Sequence, residues 1–130
     1  MRNLFGRGTI RGRYMDKPRQ RPRRWPYILE RDFQDMVLEV AHGCGWLTYH
    51  TYDSRRSQAG FPDLTMVRGN RLIFVELKSY KGKANEAQEM WLAALADVPH
   101  AEVYLWRPGE QWESIVDILQ RPEVISASVS

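Results

Sequence analysis

The chain has 130 residues, enough for one domain whose core folds unaided. At 43% hydrophobic and 27% charged residues it has the make-up of a globular protein rather than a disordered one. The single cysteine, Cys44, excludes an internal disulfide and a zinc site made mainly of thiolates, and no apolar run approaches the roughly 18 residues a bilayer span requires. A cytoplasmic location without membrane association is the expectation, since a chain without disulfides suits a reducing compartment.

The formal net charge of +3 conceals a division. Residues 1–29 hold Arg2, Arg7, Arg11, Arg13, Lys17, Arg19, Arg21, Arg23 and Arg24 against Asp16 alone, and the rest of the chain has ten basic and fifteen acidic residues. This reads as a polyanion-binding arm joined to an acidic domain, with a solubilising tail as the plainer alternative. An organellar transit peptide would be rich in serine, and residues 1–24 contain none. With six glycines and prolines among the arginines, residues 1–26 bury too little apolar surface to offset ordering entropy. They are expected to form a flexible arm, and residues 27–130 the folded domain.

From Ile28 to Gly43, apolar Leu29, Phe33, Met36, Val37, Val40 and Ala41 recur at three- and four-residue steps and predict an amphipathic helix, stopped at Gly43 or Gly45. Trp46 to Tyr52, rich in aromatic and β-branched residues, predicts a strand. A polar loop from Asp53 to Pro62 follows. Two extended runs, Asp63–Arg68 and Arg71–Lys78, are separated only by Gly69-Asn70, a strong hairpin signal. Beyond the basic connector Lys81-Gly82-Lys83, Asn85 to Asp97 predicts a second helix with Met90, Trp91, Ala94 and Leu95 on its apolar stripe. Ala101–Trp106 predicts another strand and Glu113–Leu119 a short last helix. The order is α-β-β-β-α-β-α, a mixed sheet flanked by helices in the α/β class.

The hairpin has a chemical consequence. If Gly69 and Asn70 form the turn, Arg68 lies opposite Arg71, and stepping back along both strands sets Asp63 opposite Glu76. Opposed residues share a face with Cβ atoms ~4.5–5.5 Å apart. Lys78, two residues beyond Glu76, falls on that face as well, and Leu77 on the other. Two carboxylates so placed repel each other unless a cation intervenes. Lys78 would neutralise them in part, and a divalent cation such as Mg²⁺ would do so better while also accepting phosphate oxygens. Taken separately, Pro-Asp at a strand start is ordinary turn chemistry, and Glu-x-Lys is commonly an exposed ion-pairing face. The register that aligns them favours a metal site.

Gly60-Phe61-Pro62-Asp63-Leu64 followed by Phe74-Val75-Glu76-Leu77-Lys78 resembles the PD-(D/E)XK nuclease signature. More narrowly, the chain resembles the VRR-NUC (virus-type replication-repair nuclease) branch from about Glu30 to Leu119. Glu30 and Gln34, Gly45-Trp46, Ser54-Arg55, Gln88, Trp91 and Trp106-Arg107-Pro108 all contribute to the match. The resemblance implies a restriction-endonuclease-like fold and a metal-dependent DNA endonuclease of DNA repair, bacterial or phage-encoded. It implies Mg²⁺, with Mn²⁺ able to substitute, and metal ligation by Asp63, Glu76, the Leu77 carbonyl and Glu30. Lys78 and Gln88 join the two carboxylates as catalytic candidates.

Compact members of this branch are similar to Holliday-junction resolvases, so branched DNA and a homodimer are expected. For Glu30, a first-turn acid that favours the helix dipole is an equal alternative. For Gln88, a capping box with Asn85 competes. Arg55, Arg56, Lys81 and Lys83 are candidate DNA contacts. Trp91 and Trp106 fit the core better than base stacking, and the three histidines form no cluster. A non-catalytic nucleic-acid-binding module that uses the basic arm on the same fold is the alternative function.

Overall fold

The computed structural model describes residues 28–52 and 56–122. The basic arm expected over residues 1–26 lies outside them. The elements are α1 (Glu30–Gly43), β1 (Leu47–His50), β2 (Leu64–Arg68), β3 (Arg71–Leu77), α2 (Glu86–Ala96), β4 (Ala101–Trp106) and α3 (Trp112–Gln120). This is the predicted order, with the strand ends trimmed by one or two residues.

α1 buries Phe33, Val37, Val40 and Ala41, the stripe the periodicity picks out. Gly43 is its last residue and Cys44 its cap, and the stop is made at Gly45 (φ 92°), where Gly45 N–H donates to His42 O and Trp46 N–H to Ala41 O, the paired bonds of a Schellman ending. Trp46 is thereby tucked under the helix and only 4% exposed.

The sheet is mixed, in the order β1-β2-β3-β4. β1, β2 and β3 are antiparallel, and β4 joins β3 in parallel after the α2 crossover. The β2–β3 turn has Gly69 at φ 61°, a conformation that L side chains resist and that a type II′ hairpin requires at its first central position. Arg68 pairs with Arg71 and Leu64 with Val75, the predicted register.

One face of the sheet carries Leu64, Met66, Ile73, Val75, Leu77 and Trp106, which merge with α1 and with Ile115, Val116 and Leu119 of α3 into a single core. At the hairpin-turn end two arginines fasten α3 to this layer. Arg71, 2% exposed, donates to Ile118 O and Arg121 O and grips the Glu102 carboxylate in two bonds of 2.7 and 2.6 Å. Arg68 donates to Cys44 O and Leu119 O, each at 2.9 Å, and to Arg121 O. Both guanidinium groups stand over Trp46, 4.6 and 4.9 Å from the ring centroid, and Trp46 Nε1 donates to Leu119 O. The orphan carbonyls at the end of α3 thus find cationic donors, where the helix dipole favours positive charge.

α2 contacts β3 and β4. Its inward residues are Ala87, Gln88, Trp91, Leu92 and Leu95, all half-buried, and none enters the main core. Met90 (68% exposed) and Ala94 face solvent, so the stripe lies one step away from the predicted one. A helix this rich in alanine and leucine offers two apolar phases, and contact with the sheet selects one. Trp106 is core as expected. Trp91 instead packs edge-on to Phe61, which meets Phe74 on the sheet face opposite the core.

Candidate active site

Asp63, Glu76 and Lys78 come together at the end of the sheet away from the Gly69-Asn70 turn. The ladder brings Leu64 opposite Val75, and Asp63 stands one step beyond, held on both sides. Thr51 N–H donates to the Asp63 carbonyl at 3.0 Å. On the other side the Asp63 carboxylate replaces a ladder acceptor, with Oδ2 taking the Leu77 N–H at 2.8 Å. Gly60 fixes the approach of the preceding loop. It sits at φ 97°, and a Cβ added there would meet the Ala87 carbonyl oxygen of α2 at 2.5 Å, so only glycine allows the loop to lie this close.

Glu76 is 1% exposed, although it lies on the face away from the main core. Its Oε2 stands 3.5 Å from Lys78 Nζ, and its Oε1 is buried with no hydrogen-bond partner. Burial, then the Asp63 charge, push the Glu76 carboxyl up to about 7, with Glu30 adding to the rise and Lys78 opposing it. Asp63 is raised by burial, against the lowering effect of the Leu77 N–H and Lys78. Glu30 is raised by partial burial and by Asp63, again against Lys78. Glu30, in the first turn of α1, is therefore within electrostatic reach of the trio while remaining exposed. Acids held above their ordinary range by burial and by one another, beside a lysine, are the kind of group that functional sites collect.

Among the described residues, no three His, Cys, Asp or Glu side chains stand together as a ready metal cage. The expected side-chain set of Glu30, Asp63 and Glu76 is accordingly not assembled. The donors that do converge are two carboxylates, and the orphaned Glu76 oxygen is the observation that fits a hard cation. Water and phosphate oxygens customarily complete such a sphere.

Gln88 is engaged in the capping box: its Oε1 accepts the Asn85 N–H, and Asn85 Oδ1 accepts the Gln88 N–H, both at 2.9 Å. No contact among the described residues joins it to the trio. Arg56, Lys81 and Lys83 are exposed, and Arg55 lies outside the described residues. Arg68 and Arg71 flank the hairpin turn, where arginines would ordinarily be solvated, and only the arrival of α3 gives them their structural role. A cavity of about 540 Å³ beside Arg71 and Tyr104 lies at that opposite end of the sheet.

No curated protein matches the chain. Among solved structures it is similar to Hjc, a Holliday junction resolvase from the archaeal hyperthermophile Archaeoglobus fulgidus, at 21% identity and a TM-score of 0.45, over 62% of this chain and 68% of that one. The sequence profile of the VRR-NUC domain matches residues 7–107, starting within the arginine-rich segment and ending just after β4. With most of its length in that match, the chain belongs to the VRR-NUC family of nuclease domains.

Proposed function

We propose that this protein is a divalent-metal-dependent DNA endonuclease that hydrolyses phosphodiester bonds at Asp63, Glu76 and Lys78. The observation that carries the reading is the buried Glu76 carboxylate, with one oxygen unpartnered, held beside a second carboxylate and an ammonium group. A fold keeps so costly an arrangement where it does chemistry. Asp63, Glu76 and the Leu77 carbonyl would hold Mg²⁺ or Mn²⁺, which would polarise the phosphodiester and acidify a bound water.

The remaining work belongs to the protein. Asp63 is aimed by the Leu77 N–H, so its second oxygen is left for the cation. Lys78 is placed to orient or deprotonate the attacking water, or to stabilise charge gathering on the phosphate. The water oxygen bonds to phosphorus, the P–O ester bond breaks, and the departing oxygen takes up a proton. Glu30 approaches the same charges from α1, and Gln88 reaches the site only if its cap opens. Arg56, Lys81 and Lys83, with Arg55, contact backbone phosphates and so position the strand without reading bases.

Branched DNA, four-way junctions included, is the proposed substrate form, and a homodimer the proposed assembly, since cutting two strands calls for two sites. An apolar strip supports the assembly. Leu47 (75% exposed) pairs directly with Val67 (40%), and Tyr49 (65%) follows on the same face, beside the strands that α2 covers.

The test is cleavage of linear, flapped and four-way DNA in Mg²⁺, Mn²⁺ or EDTA, with Asp63→Ala alongside. Metal-dependent cutting that Asp63→Ala abolishes is expected. Cleavage indifferent to EDTA or to Asp63→Ala would refute the mechanism, and tight binding without any cleavage would replace it with the binding-module reading.

A further inference from the structure

The last rung of the parallel ladder pairs Leu77 with Trp106, and Lys78 N–H donates to Trp106 O at 3.0 Å. The two strands end there, and continuing both by one step sets Arg107 beside Lys78. Strand alternation gives it the face of Leu105, the residue that pairs with Glu76. Arg107 is therefore in register with the active face, although it follows a different strand and is 29 positions away in sequence from Lys78.

Its side chain is also fastened. Arg107 Nε donates to Gly82 O at 2.9 Å, and its own N–H donates to Gln111 Oε1 at 2.8 Å. Gly82 in turn closes a tight turn onto Ser79, N–H to carbonyl at 3.1 Å. A Cβ on Gly82 would meet Ser79 Oγ at 2.8 Å and Lys78 Cβ at 3.4 Å, so the braced turn lies directly against the lysine. The half-buried guanidinium thus spends one nitrogen on the brace. Among the described residues its two terminal nitrogens have no hydrogen-bond partner. Arg107 lines a cavity of about 350 Å³ together with Tyr80, Pro108, Gln111 and the exposed Glu110.

We propose that Arg107 is a phosphate-binding residue of the active face, gripping the DNA phosphate next to the one that Lys78 faces. A guanidinium held by Nε and open at both terminal nitrogens presents the planar fork that phosphate oxygens match in two bonds. Lys81 and Lys83, on the turn that Arg107 braces, extend the same positive shelf. The proposal rests on the nuclease reading of the face but not on cleavage itself.

The experiment is a DNA-binding titration in EDTA at several salt concentrations, using the full chain, labelled duplex and four-way DNA, and thermal unfolding to check that each variant folds. Arg107→Gln should bind roughly tenfold more weakly, and its plot of log K against log salt should be shallower by about 0.7–0.9, one phosphate contact fewer. Arg107→Lys should keep the slope and lose several-fold in affinity, because an ammonium cannot make the fork. Gly82→Ala, which disturbs the brace and removes no charge, should leave the slope unchanged.

An unchanged slope in Arg107→Gln would reduce Arg107 to a brace and overturn the proposal. Wild-type affinity in Arg107→Lys would overturn the two-bond contact. If the wild type binds DNA but cuts nothing in any metal, the nuclease reading fails while the slope still decides the role of Arg107.

Discussion

Replacing Glu76 with glutamine should make the protein more stable above pH 7 and inactive. The side chain is 1% exposed, has one orphaned oxygen, and meets Lys78 only at 3.5 Å. Its pKa rises from 4.5 in the unfolded chain to about 7 in the fold. Between those values the native state holds a proton that the unfolded chain has released, so raising the pH favours unfolding across that window. At about 1.4 kcal/mol per pKa unit, the ceiling is about 3 kcal/mol. The attraction of Lys78 is already contained in that net shift, and a gain of about 1–3 kcal/mol is expected. Glutamine has the same shape, and its amide lets the buried site stay neutral.

The assay is urea unfolding in EDTA at intervals from pH 4.5 to 8.5, comparing Glu76→Gln with wild type so that the other titrating groups cancel. The stability difference should grow through pH 4.5–7 and level off above it. Adding Mg²⁺ should narrow it, because a cation that binds only the wild-type site stabilises that protein alone. Glu76→Gln less stable than wild type at pH 8 in EDTA would refute the argument: Glu76 would then be half of a structural ion pair, not a costly carboxylate kept for a cation.

Three further outcomes are expected, two from the structure and one from the charge of residues 1–26. Arg71→Met should destabilise the fold by about 3–5 kcal/mol in urea unfolding, since it strips Glu102 of its partner and reopens the α3 carbonyls. Gly60→Ala, with its Cβ 2.5 Å from the Ala87 carbonyl oxygen and φ at 97°, should cost about 2 kcal/mol or more and lower cleavage, because the same loop delivers Asp63. Deleting residues 1–26 should weaken DNA binding and flatten its salt dependence by several units of slope while leaving kcat at saturating DNA unchanged; loss of cleavage at saturation would place the arm in the active site.

The site was legible where local rules decide it. A two-residue turn and strict alternation are enough to set Asp63 against Glu76, because register has a period of two and one turn pins it. The capping box at Asn85 and the stop at Gly45 are likewise written within a few residues. Tertiary features were not. The depth of Glu76, 1% exposed, is set by the assembled fold, and Glu-x-Lys looks the same on an open face. Arg68 and Arg71 read as turn charges until α3, about fifty residues later, ends on top of them. Arg107 enters the active face only through a parallel pairing that the sequence does not number.

The arginine cluster and the acidic site are mechanically linked through β3. A one-residue slip of β3 against β2 would turn Glu76 into the apolar layer and Leu77 out of it, and would put Lys78 on the wrong face. Hydrophobic burial of Ile73, Val75 and Leu77 resists that slip, and Glu76 resists it too, because in the apolar layer its carboxylate would lose Lys78. The strand is therefore held at both ends by polar contacts that have no equivalent in a slipped register. Arg71 locks the turn end to Glu102 and α3, and the Leu77 N–H locks the open end to Asp63. Only the second lock touches the proposed chemistry. The first, some five residues away along the strand, is what allows an unfavourable carboxylate to stay where a cation and a phosphate could use it.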